Sequence, residues 1–215
     1  MRIAVKVYGG KLTLNSAFAQ SETIIVRVGS EEKNYILHKE LLAHHSGFFR
    51  GALSGNFKET DDGVIPLTDV EPEMFAFVID WMYTGVLDDS AHVHATHDGD
   101  DVSFRYHAYV LADRLLIPGL KKAIFEVSFP ILFVRSPTLK LLTFAFKNLG
   151  DEDPLVRLVL DAYCLNYGLG HIGDATKAHI ENLPHEFLIQ MMLKFHDTAH
   201  MEGKEKRIRR EDYTI

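Results

Sequence analysis

Hydrophobic positions recur every second residue near the start of this chain and every third or fourth further on. Ile3, Val5 and Val7 alternate with polar or small residues, the signature of a strand with one covered face. Gly9 and Gly10 supply a turn before "KLTL", so residues 1–20 read as an N-terminal extension holding a hairpin. "TIIVRVG", Thr23 to Gly29, is β-branched, closes on glycine and predicts a mostly buried strand; "NYILH" is its return.

The period then lengthens. In "HKELLAHHSGFFRGAL", His38 to Leu53, the residues Leu41, Leu42, Phe48, Phe49, Ala52 and Leu53 fall at helical spacings. Ser46 stands between the two apolar groups, where its hydroxyl can cap a second helix. The stretch predicts two short helices meeting at a corner, the second ended by Gly55. "VIPL", Val64 to Leu67, is a brief strand in which Pro66 demands an edge. "EPEMFAFVIDWMYTG" is the plainest helix. Pro72 suits the first turn, Glu71 and Glu73 the positive end of the dipole, and Gly85 the C-terminal cap. Phe75, Val78, Ile79 and Met82 form its apolar stripe.

Asp88 to Ser103 has no apolar period and reads as a polar insertion, a loop. "FRYHAYVLADRLLIPGLKKAIFEV" predicts a helix ending near Ile117, a break at Pro118-Gly119, and another helix. Beyond Val127 strand signals stop. Ser136-Pro137 opens a helix that ends at Gly150, Asp153-Pro154 one closed by Gly168, and Pro184 one with Phe187, Leu188, Met191 and Phe195 on one side. The expected organisation is a mixed β/α unit over 21–130 with an insertion at 88–103, an all-helical extension over 131–200, and a charged tail over 201–215 that is a solvated helix end or disordered.

Composition narrows the function classes. The chain has 215 residues, enough to bury roughly 70% of its unfolded surface without a metal or disulfide. A formal charge of −7 opposes direct nucleic-acid binding, which needs a positive surface. Cys164 is the single cysteine, so no internal disulfide forms, and a reducing compartment fits. Lys6 and Lys11 interrupt any signal-peptide core. The most apolar window, Ala123 to Val134, contains Glu126 and Pro130 and is too short to span a bilayer. Cytoplasm or nucleus, with no membrane partner, is the expected setting.

The candidate chemistry weighs little. His38, His44, His45 and Ser46 lie close in sequence, but a serine nucleophile needs a base and an orienting acid in fixed geometry, and no "GxSxG" turn surrounds Ser46. His92, His94 and His97 with Asp88, Asp89, Asp98, Asp100 and Asp101 offer zinc-type ligands. Ordering such a loop costs about 1–2 kcal/mol per residue, and a solvated loop explains the same residues. Cys164 reads as a packed side chain, and "KEKRIRR", Lys204 to Arg210, as a chance run of basic residues, with a nuclear-import tag the less favoured alternative. No catalytic, metal or cofactor site is expected.

Three segments in order carry a resemblance. "YILHKELLAHHSGFFRGAL", "IPLTDVEPEMFAFVIDWMYTG" and "YHAYVLADRLLIPGLKKAIF" resemble the return strand and first helices, the third strand and its helix, and the closing helix pair of the BTB/POZ domain family. The resemblance covers roughly Ser21 to Val127 and implies an α+β fold: a small three-stranded sheet flanked by a helical cluster, followed here by the all-helical extension. The long insertion together with "DPLVRLVLDAY" and "LPHEFL" resembles the stand-alone BTB proteins of filamentous fungi. Many family members carry Ser-Asp before the first core strand where this chain has Ser21-Glu22, and residues 1–20 lack the usual amphipathic helix pattern, which separates the chain from the family's common mode of dimerisation.

The resemblance implies a non-enzymatic protein–protein interaction module. In family members that act as substrate adaptors for cullin-type ubiquitin ligases, a hydrophobic-x-Glu element between the second helix and third strand inserts into the cullin. Phe57, Lys58 and Glu59 occupy that place, with Phe57 as anchor and Glu59 as supporting acid; the alternative is that Phe57 folds back onto the core. A second expectation is a structural homo-oligomer, a homodimer in its simplest form, in which Ile3, Val5 and Val7 add a strand to a neighbour's sheet.

Overall fold

The computed structural model of this protein describes residues 21–54, 63–88, 102–134, 137–166, 183, 185–199 and 209–215. These fall into two compact units, one running as far as Asp88 and from Ser103 to Ile124, the other built from Val102 and from Phe125 onward.

In the first unit, β1 (Thr23–Val28) and β2 (Lys33–His38) form an antiparallel hairpin with Val28 opposite Lys33. β3 (Val64–Leu67) pairs with the other side of β1 in parallel, giving the order β2-β1-β3. Only one face of β1 is fully buried. Ile24, Val26 and Val28 point inward while Ile25 and Arg27 are half-covered, so the β-branched run that suggests a mostly buried strand is a one-sided one. The edge expected for Pro66 is met. The Ile25 amide donates to the Gly63 carbonyl and the Gly29 amide to that of Leu67. Odd-numbered positions of β3 therefore face β1, and Pro66, which has no amide to offer, faces away.

α1 (Lys39–His45) and α2 (Gly47–Ala52) follow β2 as two short helices meeting at Ser46. α3 (Pro72–Thr84) begins at the expected proline and ends on Gly85, whose φ of 65° is the left-handed cap a side chain disfavours. It buries Met74, Phe75, Phe77, Val78, Ile79, Trp81 and Met82, a face wider than the predicted four-residue stripe. A helix apolar over so much of its circumference is covered on several sides. Phe75 meets Tyr35 at 5.1 Å and Phe77 meets Phe104 at 5.5 Å between ring centroids.

α4 (Phe104–Arg114) stops before the expected Ile117. Leu116 takes a left-handed φ of 52°, and Pro118 disfavours helical geometry at the residue before it. α5 (Pro118–Val134) then runs through Pro130, so the boundary expected at 130 falls within a helix that starts in the first unit and continues into the second. Pro130 lies on the exposed side of α5, where a missing amide bond costs least.

The second unit adds α6 (Leu139–Asn148), α7 (Pro154–Asn166) and α8 (His185–Ala199). α6 starts two residues later than Pro137, and Thr138 supplies its cap, Oγ1 accepting the Leu141 amide at 3.2 Å; Ser136 lies outside the described residues. Asp153 caps α7 as expected, accepting the Leu155 amide at 2.8 Å. Phe187 of α8 is buried against Phe146 of α6 and Tyr163 of α7. Gly55, Gly168 and Pro184 lie outside the described residues. No helix among the described residues is long and apolar enough to cross a membrane.

The last stretch departs from a solvated or disordered tail. Residues 209–215 pack onto the second unit through a short turn, Arg210–Asp212, and Tyr213 is only 2% exposed. A lone ring in a charged run found apolar partners, and burying it outweighed solvating its neighbours.

Candidate functional site

The polar cluster of the helical corner turns out to be structural. Ser46 is fully buried. Its Oγ accepts the Phe49 amide at 3.1 Å, capping α2, and its hydroxyl donates to the Leu115 carbonyl at 2.6 Å. The adjoining Gly47 amide donates to the Leu116 carbonyl at 2.9 Å. A Cβ at Gly47 would stand 3.0 Å from that of Leu116, so glycine is what lets these two backbones close. The corner between α1 and α2 is thus pinned to the break between α4 and α5, and both bonding roles of Ser46 are committed to that joint.

The histidines diverge. His38 Nδ1 meets the Tyr83 hydroxyl at 2.8 Å. His44 is exposed, and His45 packs edge-on against Trp81 with centroids 5.4 Å apart. Burial, with a smaller push from His44, lowers the pKa of His45 below its ordinary 6.5, and a hydrogen bond with the Met82 backbone partly offsets this. Arg50 of α2 reaches back to the Ala43 carbonyl at 3.0 Å, satisfying the end of α1. Ser46, His38, His45 and Arg50 are thus engaged within the fold, while His44 faces outward.

The outward side of the corner is apolar where α2 meets the break between α4 and α5. Phe48 is 36% exposed and Leu116 58% exposed, and they sit on backbone segments joined by the Gly47–Leu116 and Phe48–Leu115 bonds. Leu116, held in a conformation β-unbranched residues other than glycine seldom adopt, was not singled out from sequence; nothing in "RLLIPG" marks which leucine turns outward. On another side of the unit, a shallow cleft of about 510 Å³ lies between Gly29–Glu31 and Thr68–Pro72. Of its acids, Asp69 already holds Arg114 at 2.7 Å, which lowers the pKa of its carboxyl.

Other expected sites fall elsewhere. Phe57, Lys58 and Glu59, the strand residues Ile3, Val5 and Val7, and His92, His94 and His97 all lie outside the described residues. Among the described residues no three His, Cys, Asp or Glu side chains are grouped to hold a metal. Cys164 is buried in α7, and burial with the nearby Asp161 charge pushes its thiol up to about 12, so it stays protonated and packs as a small side chain. Of the basic run, Arg210 is engaged by Glu126.

Comparison with known proteins gives this scaffold its relatives. The chain matches the BTB/POZ domain over residues 14–127. It is 34% identical over 62 residues to Kelch repeat and BTB domain-containing protein 4 of Homo sapiens, covering 29% of this chain and 12% of that protein. It is 28% identical over 105 residues to Kelch-like protein 21 of Danio rerio, covering 49% of this chain and 15% of that one. The chain therefore spans a small fraction of the length of these curated relatives. Among solved structures it is similar to the BTB domain of zebrafish PATZ1, with a TM-score of 0.37 and 20% identity over 48% of this chain and 72% of that one. It is also similar to the BTB domain of human Gigaxonin, with a TM-score of 0.39 and 18% identity over 59% and 96%. The family match takes in more than half of the chain, which belongs to the BTB/POZ domain family, a fold of protein–protein interaction.

Proposed function

We propose that this protein is an adaptor that docks a partner through its BTB/POZ domain, and that the partner is the cullin scaffold of a ubiquitin ligase. The observation that carries the reading is Phe57-Lys58-Glu59, standing in sequence between α2 and β3 of a BTB/POZ domain, where the family's cullin adaptors carry a hydrophobic-x-Glu element. Similarity to Kelch-type BTB proteins supports it. Phe57 is the apolar anchor and Glu59 the acid beside it. The helical unit from Phe125 onward is then the part that receives clients, and its presence together with the 88–103 insertion supports kinship with the stand-alone BTB proteins of filamentous fungi. Cytoplasm and nucleus are the matching compartments for such an adaptor with a single, buried cysteine. A pull-down with a cullin N-terminal region tests the reading. Retention of the wild type and its loss with Phe57→Ala is the expected result; equal retention of both removes the role given to Phe57.

A second reading, homo-oligomerisation through Ile3, Val5 and Val7, is favoured by the sheet itself. β2 and β3 are its outer strands among the described residues, and Ile36 on β2 is 70% exposed. An open edge accepts another strand. Light scattering on the full chain and on one lacking the first twelve residues distinguishes this reading; monomers in both cases eliminate it.

A further inference from the structure

The second unit holds a site that the BTB/POZ reading does not use and that stands independently of it. Its floor is made by Phe125 and Phe129 of α5, whose ring centroids lie 5.9 and 6.1 Å from that of Tyr213. At its deep end Asp161 of α7 accepts the Tyr213 hydroxyl at 2.6 Å through Oδ2. At its mouth Glu126 grips the Arg210 guanidinium, with Nε 3.1 Å from both carboxylate oxygens and Nη2 also bonded to Oε1. The same guanidinium lies over the Phe125 ring at 4.9 Å. Arg157 stands 5.7 Å from the Tyr213 ring and donates to the Asp212 carbonyl at 3.3 Å.

Two properties mark this as a receptor groove and not a piece of permanent core. The first is how the segment is held. Arg209, Glu211, Asp212 and Thr214 are exposed, and among the described residues the segment's side-chain hydrogen bonds and ring contacts to the rest of the unit come from two residues three apart, one aromatic and one an arginine. The second is that the groove residues have partners of their own besides the segment. Lys194 of α8 holds the other oxygen of Asp161 at 2.6 Å, and Phe133 stacks on Phe129 at 6.3 Å. Asp161 keeps an ionic partner whether or not a phenol is present, so vacating the groove strands no buried charge. Burial and Asp161 both push the Tyr213 phenol well above its ordinary range, so it remains a donor matched to a carboxylate.

We propose that this groove is a peptide-binding site for Arg-x-x-Tyr segments, occupied in this structure by the chain's own Arg210–Tyr213 as a tethered pseudo-ligand. The aromatic floor selects the ring, Asp161 selects tyrosine over phenylalanine by its hydroxyl, and Glu126 selects arginine over lysine by its two-oxygen geometry. A tethered occupant acts at an effective concentration on the order of 1 mM, so a free segment of equal intrinsic affinity is outcompeted until the tether is released.

The test uses the full chain and a fluorescent peptide of residues 209–215. In the host Arg210→Ala/Tyr213→Ala the groove is vacated, and fluorescence anisotropy is expected to show saturable binding at least about tenfold tighter than to the wild-type chain. The peptide carrying Tyr213→Phe or Arg210→Ala should bind several-fold more weakly. A folded, vacated host that binds the peptide no better than wild type overturns the proposal. If that host does not fold, Tyr213→Phe in the full chain is titrated instead, since it keeps the ring and removes only the hydroxyl. Peptide binding above the wild-type level then supports the groove, and binding at the wild-type level overturns it.

Discussion

Two polar groups, one in each unit, are satisfied in opposite ways. At the corner of the first, Ser46 is closed off by backbone: one amide three residues ahead and one carbonyl at Leu115. In the second, Asp161 is satisfied by side chains, Lys194 from α8 and Tyr213 from the far end of the sequence. Backbone partners are fixed by the path of the chain and cannot leave without unfolding it. Side-chain partners on a separate short segment can leave alone, because local opening requires breaking only their own contacts. The first arrangement makes a rigid platform and the second a removable plug.

Substitutions of decreasing severity probe that contrast. Phe49 is fully buried behind the corner and packs against Phe48 and Phe75. Phe49→Ala should lower the stability of the first unit by about 3–5 kcal/mol in urea unfolding; a loss below 1 kcal/mol would show that the corner is not tightly packed. Ser46→Ala removes the cap of α2 and leaves the Leu115 carbonyl short of a donor, for a loss of about 1–3 kcal/mol. Hydrogen exchange should then rise on both sides of the joint, in α2 and at Leu115–Ile117; a rise confined to α2 would contradict the pinning. Tyr213→Phe should cost only about 0.5–1.5 kcal/mol and act locally. Tryptic cleavage at Arg209 and Arg210 should accelerate while the urea midpoint of the first unit stays in place.

The smallest effect is a pH dependence. The folded pKa of His45 lies below its unfolded value of 6.5, so the unfolded chain takes up the proton first. Stability should therefore fall as the pH drops through 6.5 and level off below the folded pKa. His45→Gln should flatten that part of the profile, and an unchanged slope would assign it to other groups. No matching dependence is expected from the plug, whose tyrosine keeps its proton throughout the neutral range.

Much of the first unit is legible along the chain. The hairpin, the Ser46 cap, the edge position of Pro66, and the Pro72 and Gly85 limits of α3 each follow from a residue whose stereochemistry tolerates few alternatives. The readings that moved did so where several neighbours were equivalent. α6 took its cap at Thr138, and α5 continued through Pro130, because choosing among local options depends on which face a helix must bury. The outward-facing leucine and the tyrosine of the last turn were less legible. Leu116 is one leucine of a pair, and Tyr213 sits in "RREDYTI" with no apolar period around it. An isolated aromatic in a charged run was the only local signal, and it becomes interpretable once Phe125, Phe129 and Asp161 are seen together.

Among the described residues the sequence by itself determined which segments are strands and helices, and through three ordered motifs the family of the first unit, because periodicity, caps and breakers act over a few residues. Tertiary structure alone decided that the Ser46 hydroxyl ties its corner to the Leu115 carbonyl, that Leu116 faces outward, and that Tyr213 fills a groove about fifty residues from its acid partner. Those outcomes depend on which surfaces meet, and the energy of meeting is shared between positions that no local pattern relates.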